Sequence, residues 1–279
     1  MIFLFEAFYS KNTVTLTGIK HFSLPQTLDC GQAFRWKELH SDCFEGVAFG
    51  KYLKLEKKSD ESIVLHTSKE DFENIWRDYF DLERDYNQII ENISSNEILK
   101  NASAFGKGIR ILNQEPWETL CSFIISQNNN IKRIKGIIDR LCTSFGEDIG
   151  GYYTFPSAEK LASLSLSNLE VLRAGFRAKY ILDAATKVAN GNVRLYDLKN
   201  LPYEEAKEEL MKIKGVGPKV ADCALLFSHK HITAFPKDVW IKRAMQKLFD
   251  GELPKEALPY AGIVQQYIFF YARETKLDI

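Results

Sequence analysis

Three side chains in the C-terminal half have the types and spacing for chemistry. Lys219 and Cys223 lie four residues apart in LMKIKGVGPKVADC (210–223), and Asp238 follows in TAFPKDVWIKRAM (233–245). Residues one helical turn apart share a face, so an amine and a thiol would project together. An amine close to a helix N-terminus and partly withdrawn from water has its cationic form disfavoured, which frees its lone pair for nucleophilic attack. A carboxylate held by helix N–H groups favours its charged form, as needed to take a proton from an amine or to stabilise a developing cation. Each residue also has an ordinary reading. Lys219 alone is a solvated lysine, Cys223 a small core hydrophobe, and Asp238 an N-cap, without a capping box because Ile241 stands where Glu or Gln would complete one.

The element that would position the pair is a hairpin. The apolar periodicity of EEAKEELMKIK runs out near Lys214, GVG reverses the chain, and Pro218 suits the first position of the next helix, where its missing N–H costs nothing. Such a joint exposes backbone N–H groups of Gly215, Val216 and Gly217 near the positive end of a helix dipole, a phosphate site indifferent to base sequence. It is equally the pattern of a plain helix-turn-helix joint.

The chain of 279 residues is 45% hydrophobic, enough for a substantial core in one or two domains. The opening MIFLFEAFYS is short and lacks both a basic leader and a small-residue cleavage site; it predicts a strand, with no signal peptide and no membrane span. Five cysteines (Cys30, Cys43, Cys121, Cys142, Cys223) have no metal-type spacing, so they predict reduced thiols and no metal. Net charge is zero, which counts against a strongly basic nucleic-acid binder. Charge is unevenly placed, however: residues 207–247 hold nine Lys or Arg against four Asp or Glu. A basic face on a neutral protein fits that distribution.

From Phe3 to about Thr67 the pattern is strand-like, including CGQAFRWKEL, the alternation from Lys51 and SIVLHT, and it predicts an antiparallel sheet. From Lys69 the period changes, with Phe72, Ile75, Trp76, Tyr79 and Phe80 at helical spacing. Nearly everything beyond is helical by the same test, from PWETLCSFIISQ through SNLEVLRAG to AGIVQQYIFFYAR, with no repeat or flexible linker. The predicted fold is α+β, a small N-terminal sheet unit packed on a larger all-helical unit.

The stretch 210–240, with its LxxIxGVGxKxAD hairpin followed by Pro-x-Asp, resembles the helix-hairpin-helix DNA glycosylase superfamily. CGQAFRW, SQNNNI, AGFRAKY and YAGIVQQYIFF narrow the resemblance to the 8-oxoguanine DNA glycosylase family, from about Phe22 to the C-terminal helix. It implies a sheet unit over 1–100 with flanking helices. A helical domain would follow over 101–279, carrying the hairpin at about 207–228, a catalytic aspartate loop and a C-terminal helix that returns to the base pocket. It further implies a base excision repair enzyme, both N-glycosylase and abasic-site lyase, acting on duplex DNA that contains 8-oxoguanine opposite cytosine. Lys219 would attack C1′ of a nucleotide flipped out of the stack and form a Schiff base open to β-elimination. Asp238 would activate the amine and stabilise charge on the sugar. Gly31 would offer its carbonyl to the hydrogen on N7 of the oxidised base. Gln265 would read the Watson–Crick edge, with Phe269 and Cys223 sandwiching the ring. Asn128, Arg133 and Arg177 would hold the estranged cytosine, and Phe176, where many relatives place tyrosine, would fill the gap.

Two features depart from the family pattern. Trp240 replaces a phosphate-binding histidine of eukaryotic members, and the four-cysteine iron–sulfur motif of some relatives is missing, so no cluster and no cofactor is expected. A monomer in the cytoplasm, associated with the nucleoid, is the matching cellular expectation. Two other readings compete. A glycosylase for alkylated bases would use the aspartate alone and would not need Lys219; a noncatalytic module would use only the hairpin.

Overall fold

The computed structural model describes residues 4–275. The strand-like run begins at Phe3, outside the described residues. Six strands, β1 (Glu6–Tyr9), β2 (Val14–Thr17), β3 (Trp36–His40), β4 (Cys43–Ala48), β5 (Lys51–Ser59) and β6 (Ser62–His66), form one antiparallel sheet in the order β1-β2-β6-β5-β4-β3. Alternation puts Val14, Leu16, Leu53, Leu55, Ile63 and Leu65 on one buried face, and the register sets Leu16 opposite Ile63 and Leu55 opposite Leu65. The helical segment 69–79 covers that face with Phe72, Trp76 and Tyr79; its turn Phe72–Trp76 is π-wound. The Trp36 indole N–H closes the cluster by donating to the Tyr79 hydroxyl at 2.7 Å.

The N-terminal run is less uniformly extended than its pattern predicts. A short helix, α1 (Leu24–Leu28), begins at an N-cap on Ser23 with Pro25 in its first turn. In CGQAFRW only Trp36 lies in a strand; Cys30–Arg35 is a loop. Gly31 has φ +92°, outside the range of a strand, and Gln32 is buried with its side chain bonded to Thr27 O, Arg110 O and Leu112 N. Those bonds compete successfully with sheet pairing. SNLEVLRAG likewise departs from a regular helix: it is a 3₁₀ turn over Asn168–Leu172, closed by Arg173 in the left-handed region.

Beyond α2 (residues 69–79) the helices are α3 (Tyr86–Ile93), α4 (Glu97–Phe105), α5 (Pro116–Ser126), α6 (Ile131–Phe145), α7 (Ala158–Ala162), α8 (Arg177–Ala189), α9 (Tyr203–Met211), α10 (Pro218–Ser228), α11 (Val239–Phe249) and α12 (Ala261–Glu274). Helix α10 is the centre of this unit. Val220 through Phe227 are all buried, and each large apolar side chain among them stabilises the fold by roughly 1.5–3 kcal/mol. The one polar member, Asp222, receives bonds from Tyr203 Oη at 2.6 Å and Lys207 Nζ at 2.8 Å, which tie α9 to α10.

The reversal between those helices is pinned by α8. Lys214 N donates to Asp183 Oδ2 at 2.8 Å, and Gly215, at φ +79°, lies so close to Tyr180 that a Cβ would stand 2.4 Å from the ring. Gly215→Ala therefore combines left-handed strain with a steric clash, and should lower stability by about 2–4 kcal/mol. Urea unfolding followed by far-UV circular dichroism checks this; a midpoint equal to that of the natural chain would show that the turn tolerates a side chain.

Candidate active site

Helix α10 starts at Gly217, an N-cap with extended backbone and no side-chain cap, so its first turn is left open toward solvent. Lys219 sits in that turn, half-buried, with Nζ 5.2 Å from the centroid of the Phe123 ring. Phe123 in turn stacks on Phe227 at 5.4 Å and 17°. The amine thus lies against an aromatic ring in the lining of a cavity of about 180 Å³. Gly31, Cys223, Asp238, Gln265 and Phe269 line the same cavity, so six residues from four distant parts of the chain meet there.

Cys223 is buried beside the amine. Burial pushes its thiol up to about 11, an effect that the charge and hydrogen bond of the neighbouring Lys219 partly offset. Asp238 caps α11 by accepting the Ile241 N–H on Oδ1 at 2.7 Å. The cap uses one carboxylate oxygen and leaves Oδ2 outside it, and the residue lines the cavity. Trp240 follows on the outside of the first turn, more than half exposed at 54%.

Gly31 is clamped between two anchored neighbours. Cys30 Sγ donates to Gln266 Oε1 at 3.6 Å, and the Gln114 side-chain amide donates to Gln32 O at 2.7 Å. Gln265 and Phe269 come from α12, whose start is fixed by a bond from Gly262 N to Ile232 O at 2.8 Å.

A second group lies outside the cavity. Asn128 is exposed, with φ +47°, and its carbonyl, like that of Gln127, accepts from the Arg177 guanidinium. Arg177 is buried, and also donates to Ala174 O at 3.2 Å. Its pKa lies below the ordinary arginine value, through burial first and through the nearby Arg133 cation second. Arg133 is exposed on the first turn of α6. Two cations so placed attract a ligand rich in acceptors. Phe176 is 47% exposed, braced from behind by Tyr180 at 5.8 Å and by Arg177 over its ring at 4.4 Å. At the hairpin, Val216 has its N–H engaged with Ile213 O at 3.0 Å and its side chain buried, unlike Gly215 and Gly217 beside it. Lys212, Lys214, Lys237 and Lys242 are exposed around this region.

Several lining residues were not predicted. Phe34 and Phe123 look like core aromatics in the sequence, and their apolar neighbours conceal that one face meets the cavity. In the NNN run, Asn129 lines the cavity while Asn130 caps α6 through Arg133 N at 2.9 Å, so three like residues have three tasks. A larger groove of about 700 Å³ lies between β3–β4 and α6, but it contains neither Lys219 nor Asp238. Chemistry, not size, locates the site. No helix among the described residues is long and apolar enough to cross a membrane, and among them no cluster of three or more His, Cys, Asp or Glu could hold a metal. The five cysteines are buried and free of disulfides.

A six-stranded antiparallel sheet unit joined to a helical unit with a hairpin is the fold of the base-excising DNA glycosylases, and here an amine and a carboxylate at two helix starts line one cavity of about 180 Å³. Residues 15–120 match the family described as 8-oxoguanine DNA glycosylase, N-terminal domain, and residues 121–257 match the HhH-GPD superfamily base excision DNA repair protein. The chain belongs to the 8-oxoguanine DNA glycosylase family. Among solved structures it is similar to MBOgg1 in complex with a low affinity DNA ligand, at 42% identity and a TM-score of 0.92 over 98% of this chain and 99% of that one. It is also similar to the Clostridium acetobutylicum 8-oxoguanine glycosylase/lyase in complex with duplex DNA containing cytosine opposite 8-oxoguanine, at 38% identity and a TM-score of 0.91 over 99% and 100%. The N-glycosylase/DNA lyase of Saccharomyces cerevisiae is 32% identical over 260 residues, covering 80% of this chain and 67% of the yeast protein.

Asp238→Asn should preserve the cap, because Asn caps about as well as Asp, and leave stability within about 0.5 kcal/mol. Loss of the charge should slow base release by about 10²–10⁴-fold. Thermal unfolding and single-turnover rates measured together check both halves; a rate equal to that of the natural chain would remove Asp238 from the chemistry.

Proposed function

We propose that this protein flips 8-oxoguanine out of duplex DNA, excises it opposite cytosine and then nicks the strand, with Lys219 as nucleophile. The observation that carries the reading is the convergence of Lys219, Asp238, Gly31, Cys223, Gln265 and Phe269 on one small cavity. At about 180 Å³ it lies below the usual range for drug-sized ligands and suits a single base.

The chemistry follows from the positions. With its proton passed toward Asp238, the Lys219 amine bonds to C1′ as the glycosidic bond breaks; the base leaves with that electron pair and gains a proton. Opening of the sugar ring gives a protonated imine. Loss of a C2′ proton then expels the 3′ phosphate, and water later hydrolyses the imine and frees the amine. Asp238 offsets the positive charge on the sugar while the glycosidic bond is stretched.

Selection begins at Gly31. Its carbonyl accepts the N7 hydrogen that 8-oxoguanine has and guanine lacks, a contact worth about 1–3 kcal/mol, or ten- to a hundredfold. Gln265 reads the Watson–Crick edge while Cys223 and Phe269 sandwich the ring. Phe176 fills the vacated space, and Arg133, Arg177 and Asn128 hold the orphaned cytosine by its O2 and N3 acceptors. Gly215 and Gly217 present N–H groups to a phosphate, with Val216 holding the turn between them. In this reading the protein works as a monomer beside the DNA of the cytoplasm, and side chains carry each step.

Borohydride trapping on duplexes carrying 8-oxoguanine, guanine or an alkylated base tests the whole reading. The natural chain should give a covalent complex on the first duplex only, and Lys219→Gln should bind that duplex without being trapped; trapping of the variant at the natural level would rule out this nucleophile. Opposite-base choice is tested separately. Adenine opposite the lesion presents an amino donor to cationic donors, and a mismatch of this kind costs on the order of 1–3 kcal/mol, so the adenine pair should react at least about tenfold more slowly. Arg133→Ala should narrow that gap; an unchanged ratio of single-turnover rates would show that Arg133 does not enforce it.

A further inference from the structure

Gln265 has a neighbour that the mechanism above does not use. Gln266 is 6% exposed, as deeply set as Gln265 at 5%, and both line the cavity. Its Nε2 donates to Gln265 Oε1 at 2.7 Å, while its own Oε1 accepts from Cys30 Sγ at 3.6 Å. Cys30 is 2% exposed, and burial pushes its thiol up to about 11, so it carries its hydrogen at neutral pH. The backbone N–H of Gln32 faces the sulfur, and the S–H points toward oxygen, Gln266 Oε1 at 3.6 Å or the adjacent Thr27 O at 3.5 Å.

A primary amide has almost the same shape after a half-turn, but the half-turn exchanges donor and acceptor. The distinction matters at a purine edge. A guanine-type edge offers an acceptor at C6 followed by a donor at N1; an adenine-type edge offers donor then acceptor. A freely turning glutamine would match either one.

We propose that Cys30 and Gln266 are positioning residues that fix which end of the Gln265 amide faces which atom of the base, and so make the pocket selective for 6-keto over 6-amino oxidised purines. The inference rests on the reading of Gln265 as the residue that faces the Watson–Crick edge. The thiol sets the direction of Gln266, Gln266 holds Gln265 Oε1 by one lone pair, and the remaining lone pair and the amide hydrogens meet the base in a fixed order.

The test compares single-turnover release of 8-oxoguanine and 8-oxoadenine, each opposite cytosine, with trapping on a duplex that contains an abasic site. The natural chain should strongly favour 8-oxoguanine. Gln266→Met keeps length and volume but cannot hold the amide, and should lower the ratio of the two rates about tenfold, as expected for one correctly placed hydrogen bond. Cys30→Ala should lower it in the same direction, and Cys30→Ser, which restores a donor, should recover it. The losses should be confined to duplexes that bear a base. An unchanged ratio in Gln266→Met with 8-oxoguanine still released would overturn this proposal alone, as would equal behaviour of Cys30→Ala and Cys30→Ser, or an equal loss on the abasic duplex. Release of neither base by the natural chain would overturn the proposed function and this inference with it.

Discussion

One buried residue, Gln114, keeps the two halves of the pocket in register. Its backbone N–H donates to Phe227 O at 2.8 Å, at the far end of the helix that carries Lys219 and Cys223, and its side-chain amide donates to Gln32 O at 2.7 Å, next to Gly31. Unpaired buried amides cost about 1–3 kcal/mol each, so these bonds allow little drift. Leu112 N to Gln32 Oε1 and Arg110 N to Thr27 Oγ1 extend the seam. The sheet unit thereby does more than cover the helices, since it delivers the Gly31 loop to a helix encoded nearly two hundred residues later.

Given that seam, the electrostatics of the site divide by location. Inside the cavity the amine meets an aromatic ring and the Cys223 thiol, whose pKa burial raises, while the Asp238 side chain at the start of α11 lines the same space. Outside it, Arg133 and Arg177 place two cations together, and Phe176 stands between solvent and Tyr180. A neutral protein can bind a polyanion in this way because its positive charge is concentrated around the hairpin and α11, while acidic residues cluster elsewhere.

Much of this was legible in the sequence where local rules apply. The hairpin, its proline, the Asp238 cap and most helices follow from periodicity and capping chemistry, which act over one or two turns. The alternation in β5 and β6 served equally well for the sheet. CGQAFRW misled because its aromatic and apolar content suits a strand, whereas its conformation is set by side-chain bonds from Gln32 to a segment eighty residues away. Phe123 and Gln266 were hidden for a related reason. Nothing in the residues around a buried aromatic or a buried amide indicates which of its neighbours is a cavity, and that depends on how α5, α10 and α12 meet.

The central claim is that the seam delivers one particular amine to C1′ of the extruded nucleotide. The most direct measurement is mass spectrometry of proteolytic fragments from the borohydride-reduced complex with an 8-oxoguanine duplex. The modification is expected on Lys219 alone, within the peptide that begins after Lys214. A sugar adduct on Lys237, on another exposed lysine or on an N-terminal amine, with Lys219 unmodified, would contradict the account.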